Sequence, residues 1–327
     1  MPERSNRVRR ALLIAHYFPP GTSSGTLRTV KFARYLPQWN WEPVILTMDP
    51  RAYLASRQDP SLLKELHPDL KICRTGIWDI DRVLANWRRS ATGFFKRNSN
   101  SAPATVSGTS DKTRDTGGPR NWSHDLRDWL HFPDHYGNWF PPAVLRGLRI
   151  LRREEIQVLY STAPSPVSHM IALALKRISG LPWAADYRDP WECLFPESIY
   201  MEGQNPSKIR AEVAMAERCV RGADLNIINT TTACELFRQR FPDIDPKRFV
   251  TLPNGFDPLD FAGIRGSTAA GKRLTFLHCG HVFPKAAHTG RISSRHGATD
   301  RIAAHRSRPG AGALCGVRAI SGHAPLR

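Results

Sequence analysis

The chain has 327 residues, 41% of them hydrophobic, with 47 Lys and Arg against 29 Asp and Glu and a net charge of +18. That is long enough to bury a sizeable core and too apolar for a wholly disordered chain. The six cysteines (Cys73, Cys193, Cys219, Cys234, Cys279, Cys315) show no C-x2-C spacing and no His pair, which argues against zinc and a disulfide scaffold and fits reduced thiols of a cytoplasmic protein.

Taken in chain order, Arg7, Arg9 and Arg10 precede an apolar run over residues 11–16. Pro19-Pro20 closes that run too soon for a membrane span or a signal core, so it reads as a first strand. The loop PPGTSSGT then leads into the helix LRTVKFARYL. Gly21, Thr22, Ser23, Ser24 and Gly25 offer backbone N–H groups and a helix N-terminus, which suits a phosphate. Their spacing matches neither the dinucleotide fingerprint nor the P-loop, and a flexible surface turn fits the same residues.

Strands are predicted at 43–48 and 70–75, with helices at 61–66 and 77–89. The segment WRRSATGFFKR (87–97) mixes aromatic and basic residues, as a solvated helix end or a contact for an anionic membrane would. Residues 98–120 are almost wholly polar, Gly, Pro and charged, and read as a disordered insert. A helix at 142–153 precedes a strand at 156–161. Ser165 is placed as the N-cap of the next helix, with Pro166 at its first position and Gly180 as its left-handed stop. A strand at 182–187, helices at 207–221 and 231–240, and strands at 225–229 and 249–252 complete the alternation. Seven strands interleaved with helices predict an α/β fold, a doubly wound, mostly parallel Rossmann-like sheet.

In such sheets ligands bind beyond the carboxyl ends of the strands. Asp186, Arg188 and Asp189 stand where the 182–187 strand ends, placed to meet a substrate; a helix cap with a surface ion pair is the other reading. His169, on an apolar helix, reads as a packing residue. From residue 285 onward no aromatic occurs, and eight basic residues face one acid, Asp300. Elsewhere Lys and Arg are interleaved with acids and no nucleic-acid motif appears, so a nucleic-acid partner is not expected and a basic face towards anionic lipid fits the charge at least as well.

Four segments, HYFPPGTSSGTLRTVKFARYL, FPDHYGNWFPPAV, YSTAPSPVSHMIALALKRISGLPWAADYRDPW and LPNGFD, occur in the order and at the intervals that resemble bacterial glycosyltransferases of family 4. The resemblance covers residues 8–281. It implies the N-terminal half of a GT-B fold and retaining sugar transfer from a nucleotide-sugar donor to a saccharide or lipid-linked acceptor in surface-polysaccharide synthesis. No metal or other cofactor is implied, the nucleotide-sugar being a co-substrate. By resemblance, 8–258 form the acceptor-side domain. Gly21, Thr22, Ser23, Ser24, Gly25 and Arg28 approach the donor diphosphate. Asp186, Arg188 and Asp189 line the cleft, Asp189 being the catalytic candidate, and Asn254 and Gly255 form the interdomain turn.

Residues 259–284 read as a linker and the first strand of a second domain, and 285–327 as a disordered basic tail. The family's second domain would carry a basic pair and a Glu-x7-Glu motif, yet no Glu follows Glu235. The expectation is therefore a truncated enzyme with an out-of-frame end, inactive alone, cytoplasmic or peripheral at the inner face of the membrane. An acceptor- or lipid-binding module completed by a partner chain is the rival reading. A Rossmann-type oxidoreductase is disfavoured by the glycine spacing and by the lack of a ribose-binding acid about 20 residues on.

Overall fold

Every second side chain of a strand faces the same side of its sheet. In β1 (Arg9–Ala15) that alternation sends Ala11 and Leu13 to one face and Leu12 and Ile14 to the other, and all four are buried. A strand buried on both faces belongs in the middle of a covered parallel sheet. The computed structural model describes residues 8–23, 25–53, 58–78, 132–134, 136–189, 191–195 and 205–263.

The remaining elements are α1 (Thr26–Tyr35), β2 (Trp41–Met48), β3 (Lys71–Thr75), α2 (Phe140–Arg153), β4 (Ile156–Thr162), α3 (Val167–Ser179), β5 (Trp183–Tyr187), α4 (Pro206–Gly222), β6 (Leu225–Ile228), α5 (Thr231–Arg240) and β7 (Phe249–Thr251). All seven strands form one parallel sheet in the order β3-β2-β1-β4-β5-β6-β7. This is the expected doubly wound α/β sheet, with its order reversing between β1 and β4. Ala11, Leu13 and Ile45 pack with Val30 and Ala33 of α1 on one face. Leu12, Ile14, Leu46 and Leu159 pack with Ala143, Leu175, Cys219 and Phe237 of α2 to α5 on the other. Gly147 lets α2 approach α3, because a Cβ there would meet Leu175 Cδ1 at 2.6 Å.

Local chemistry explains where these elements differ from expectation. Segment 61–66 is a 3-10 helix, Pro60–Glu65, with the Asp59 carboxylate accepting from Ser61 N at its head. Ser165 does not cap α3: Pro166 holds that position without a side-chain bond, and Ser165 Oγ donates to Asp134 Oδ2 at 2.9 Å. Gly180 ends α3 with φ 73° and its N–H on Lys176 O, as its sequence predicts. The expected helix at 77–89 lies, beyond Trp78, outside the described residues, as do 87–97, 98–120 and 264–327.

The described face opposite α1 holds one buried polar chain. Trp183 Nε1 donates to Ser161 Oγ at 2.8 Å, and that oxygen lies 2.7 Å from His169 Nδ1. Burial holds the His169 imidazole neutral, its pKa pushed down to about 3. The packing role expected of His169 agrees with this setting.

The chain divides into two units, the first comprising 1–54 and 58–255. In the second, Asp257 caps the 3-10 helix Pro258–Phe261 by accepting from Leu259 N, and the rings of Phe256 and Phe261 meet edge-on at 5.9 Å.

Candidate functional site

A reversal of strand order opens a crevice at the carboxyl ends of the two strands that flank it. Here those are β1 and β4, so the crevice is bordered by the loop 16–25 and by the turn 163–166, with the end of β5 beside them. The glycine-containing loop read from the sequence is therefore at the switch point.

The loop is tied mostly to itself. Gly21 N donates to Phe18 O, Gly25 N to Ser23 Oγ, and Thr26 N to Ser23 O. Ser23 N donates to Thr26 Oγ1, which in turn donates to Gly21 O. Three amides that were expected to face a phosphate, those of Gly21, Ser23 and Gly25, are thus engaged inside the loop, as is that of Thr26. Thr22 is half-buried, and Ser24 lies outside the described residues. Gly21 is needed for space, since a Cβ would sit 2.5 Å from the Tyr53 ring. That ring is fixed by its hydroxyl, which donates to His16 O at 2.6 Å.

Gly25 is the N-cap residue of α1, with ordinary helical φ and ψ and no acidic residue in the turn that follows. Its missing side chain also answers a need for space. A Cβ would come within 2.5 Å of Arg188 Nη1, 3.0 Å of Pro164 Cδ and 3.3 Å of Ala163 O. Gly25, the turn after β4 and Arg188 therefore meet at one point.

Strand parity puts Asp186 and Arg188 on the α1 side of β5 and Tyr187 on the other, against His169 and Phe237. Asp186 is 0% exposed. Its carboxylate accepts from Arg28 Nε at 2.8 Å and Nη2 at 3.0 Å, from Tyr160 OH at 2.5 Å and from Thr162 Oγ1 at 3.1 Å. Asp186, expected to line the cleft, is thus enclosed by its four donors. Arg28, expected beside a diphosphate, continues from Asp186 to the chain after β7. Its Nη2 also donates to Leu252 O, and its Nη1 donates to Pro253 O and Asn254 Oδ1. Burial pulls the Arg28 pKa down, but the Asp186 carboxylate outweighs it and the net shift is upward. Burial and the Asp186 charge push the Tyr160 phenol well above its ordinary value.

Arg188 is placed differently. It is 6% exposed, and its Nε and Nη1 are buried with no hydrogen-bond partner among the described residues. Asp189, one residue on, is exposed at the carboxyl end of the strand. Asn254 is tied to Arg28, whereas Gly255, the last residue of the first unit, has open space where a Cβ would stand. The structure thus gathers Gly25 and Arg188 at one place and Arg28, Asp186 and Asn254 at another, on the same side of β5.

The sequence reading missed Tyr160 and Thr162, the residues that complete the Asp186 cluster; the period-2 alternation of β4 is the signal that would have placed both beside β5 on this face. It also missed the rings at the end of β1. There Tyr17 stacks on Tyr53 at 5.4 Å and lies with its hydroxyl 3.0 Å from that of Tyr136. Among the described residues no three His, Cys, Asp or Glu side chains are grouped to hold a metal, and no helix is long and apolar enough to cross a membrane.

Residues 104–258 match the family Glycosyltransferase Family 4. Among solved structures, UGT2 of Phytolacca americana in its apo form is 12% identical, with a TM-score of 0.39, over 76% of this chain and 51% of that one. HepE of Anabaena, solved in complex with UDP and glucose, is 12% identical, with a TM-score of 0.37, over 76% of this chain and 45% of that one. The chain thus spans about half the length of each. No curated protein matches it significantly. Over residues 104–258, just under half of its length, the chain resembles Glycosyltransferase Family 4.

Proposed function

We propose that this chain supplies the acceptor-side half of a glycosyltransferase, moving a sugar from a nucleotide-sugar onto a saccharide or lipid-linked acceptor in surface-polysaccharide synthesis. The observation that carries the reading is the strand-order reversal between β1 and β4, with its glycine-containing loop at the carboxyl end of β1, in a chain whose residues 104–258 match this family. A departing nucleoside diphosphate needs positive charge near its oxygens. The acid-free first turn of α1 and the Arg188 guanidinium supply that sign beside the crevice. Asp189, exposed where β5 ends, is the group suited to accept hydrogen bonds from acceptor hydroxyls. The nucleotide-sugar is a co-substrate, and no resident cofactor enters the scheme.

Contact with the inner face of a membrane belongs to the same proposal. Arg149, Arg152 and Arg153 stand exposed on α2 and would meet anionic headgroups. Co-sedimentation with vesicles of phosphatidylglycerol, lost when the three are changed to Gln, is the expected result.

Isothermal titration of the 327-residue chain with a panel of nucleotide-sugars, and separately with NAD and NADP, tests the main reading. Heat of binding with a nucleotide-sugar and none with the dinucleotides is expected. Binding of a dinucleotide alone would make the crevice an oxidoreductase site instead.

A further inference from the structure

The feature that the fold itself leaves unexplained is Arg188. An Arg is always charged, and one taken out of water is held by a carboxylate or by carbonyl oxygens. Here Nε and Nη1 are buried and have neither among the described residues. The nearest acid on the same strand face, Asp186, is already filled by Arg28, Tyr160 and Thr162. The surroundings of the guanidinium add positive potential. Nη1 lies against the Gly25 backbone at the N-cap of the ten-residue helix α1, whose dipole presents its positive end there and whose first turn holds no acid. The position is the switch point of the sheet. A buried cation with two nitrogens unpartnered among the described residues, at a helix N-terminus in a substrate crevice, is arranged for an oxyanion.

We propose that Arg188, seated on Gly25 at the head of α1, binds a phosphate or carboxylate group of the substrate through its unpaired guanidinium nitrogens. The proposal rests on reading the switch point as the substrate crevice and names the residue that reads charge there. It also gives the absent Gly25 side chain a purpose. The backbone at Gly25 is ordinary α-helix, which any residue adopts, so a larger residue is opposed by contacts and not by conformation: its Cβ would displace the guanidinium first and press more lightly on Pro164 Cδ and Ala163 O.

The test is thermal unfolding of the full chain in inorganic phosphate, with sodium chloride at matched ionic strength as the control. Phosphate is expected to raise the midpoint of the wild type by roughly 5 °C at saturation. In Arg188→Met that response should vanish while the ligand-free midpoint stays level or rises, because an uncompensated buried charge has gone. Gly25→Ala, which displaces the guanidinium and leaves residue 188 in place, should lose the response as well. A wild type indifferent to phosphate, or an Arg188→Met chain that keeps the full response, would overturn the proposal. So would a marked fall in the ligand-free midpoint of Arg188→Met, the mark of a structurally paired arginine. Competition by UDP-glucose or by glucuronate then assigns the oxyanion to a donor diphosphate or to an acidic sugar of the acceptor. The phosphate response is read without any nucleotide-sugar, so it can fail while sugar transfer stands, and the reverse.

Discussion

Replacing Asp186 by Asn tests whether that carboxylate is a structural group or a substrate ligand. The side chain is wholly buried and its partner Arg28 nearly so, at 9% exposure. The amide keeps the volume but loses the charge, and one of its two acceptor positions becomes a donor pointing at Arg28 or Tyr160. Removing one partner of a buried ion pair typically costs about 3–5 kcal/mol, because the other charge is left in low dielectric. The Tyr160 hydroxyl loses its acceptor in the same step, a loss that overlaps with the first and does not simply add to it. With a urea m-value of about 2–3 kcal/mol/M for a domain of this size, the midpoint should fall by roughly 1–2 M.

The assay is urea unfolding followed by tryptophan fluorescence, with a second variant as its control. Arg28→Met with Asp186→Leu removes both charges and should recover most of the loss, since an apolar pair of similar volume is often as stable as the ions it replaces. Recovery should stop short of complete, because Arg28 also holds Leu252 O, Pro253 O and Asn254 Oδ1, and the double variant gives those up. A change below about 0.5 kcal/mol in Asp186→Asn would refute the structural assignment, since exposed or ligand-facing groups fall in that range.

His169 makes stability depend on pH. Its folded pKa is depressed to about 3 by burial, against about 6.5 unfolded, so between those values the unfolded chain binds more protons and acid destabilises. The contribution is complete above pH 6.5, and at pH 5 about 2 kcal/mol of it should be gone, a loss that His169→Gln removes when the two unfolding curves are compared. Gly21→Ala should cost about 1–3 kcal/mol by pressing a methyl group against a Tyr53 ring that its bond to His16 O prevents from swinging away, with Tyr53→Leu relieving the penalty in denaturant titrations. Asp189→Asn should leave the unfolding midpoint unchanged and weaken the binding of saccharide acceptors measured by titration; a fallen midpoint with intact binding would make Asp189 a structural cap.

The strands were legible because a central parallel strand needs a run of apolar residues on both faces, and the runs in β1, β2 and β4 say so without help from elsewhere. Gly180 was legible for a similar local reason, a left-handed residue closing an apolar helix. Ser165 was misread because two local rules, a hydroxyl before Pro and an apolar run after it, cannot register Asp134 in a distant segment. The pairing of Arg28 was not legible for a larger-scale reason: its partner is 158 positions away, and nothing near either residue announces the other. Parity along β5 does say that Asp186 and Arg188 share a face. It does not say which of the two is neutralised within the fold.

That choice ties the two clusters together. Residues two apart on a strand stand about 6.6 Å apart along it, close enough for Asp186 and Arg188 to attract one another strongly in a buried setting. Left alone, the carboxylate would have a second cation to turn to. Arg28 prevents this by taking Asp186 in a two-pronged bond from α1, with Tyr160 and Thr162 filling the remaining lone pairs of Oδ2. Four donors on one carboxylate leave little for a fifth. The fold therefore satisfies its buried acid with an arginine that reaches from the first helix to the end of β7, and the arginine two residues on is left with two nitrogens unpartnered among the described residues. On this account Arg28 and Asp186 serve the site without touching the substrate: they hold the walls of the crevice, and they withhold from Arg188 the counter-ion that would silence it.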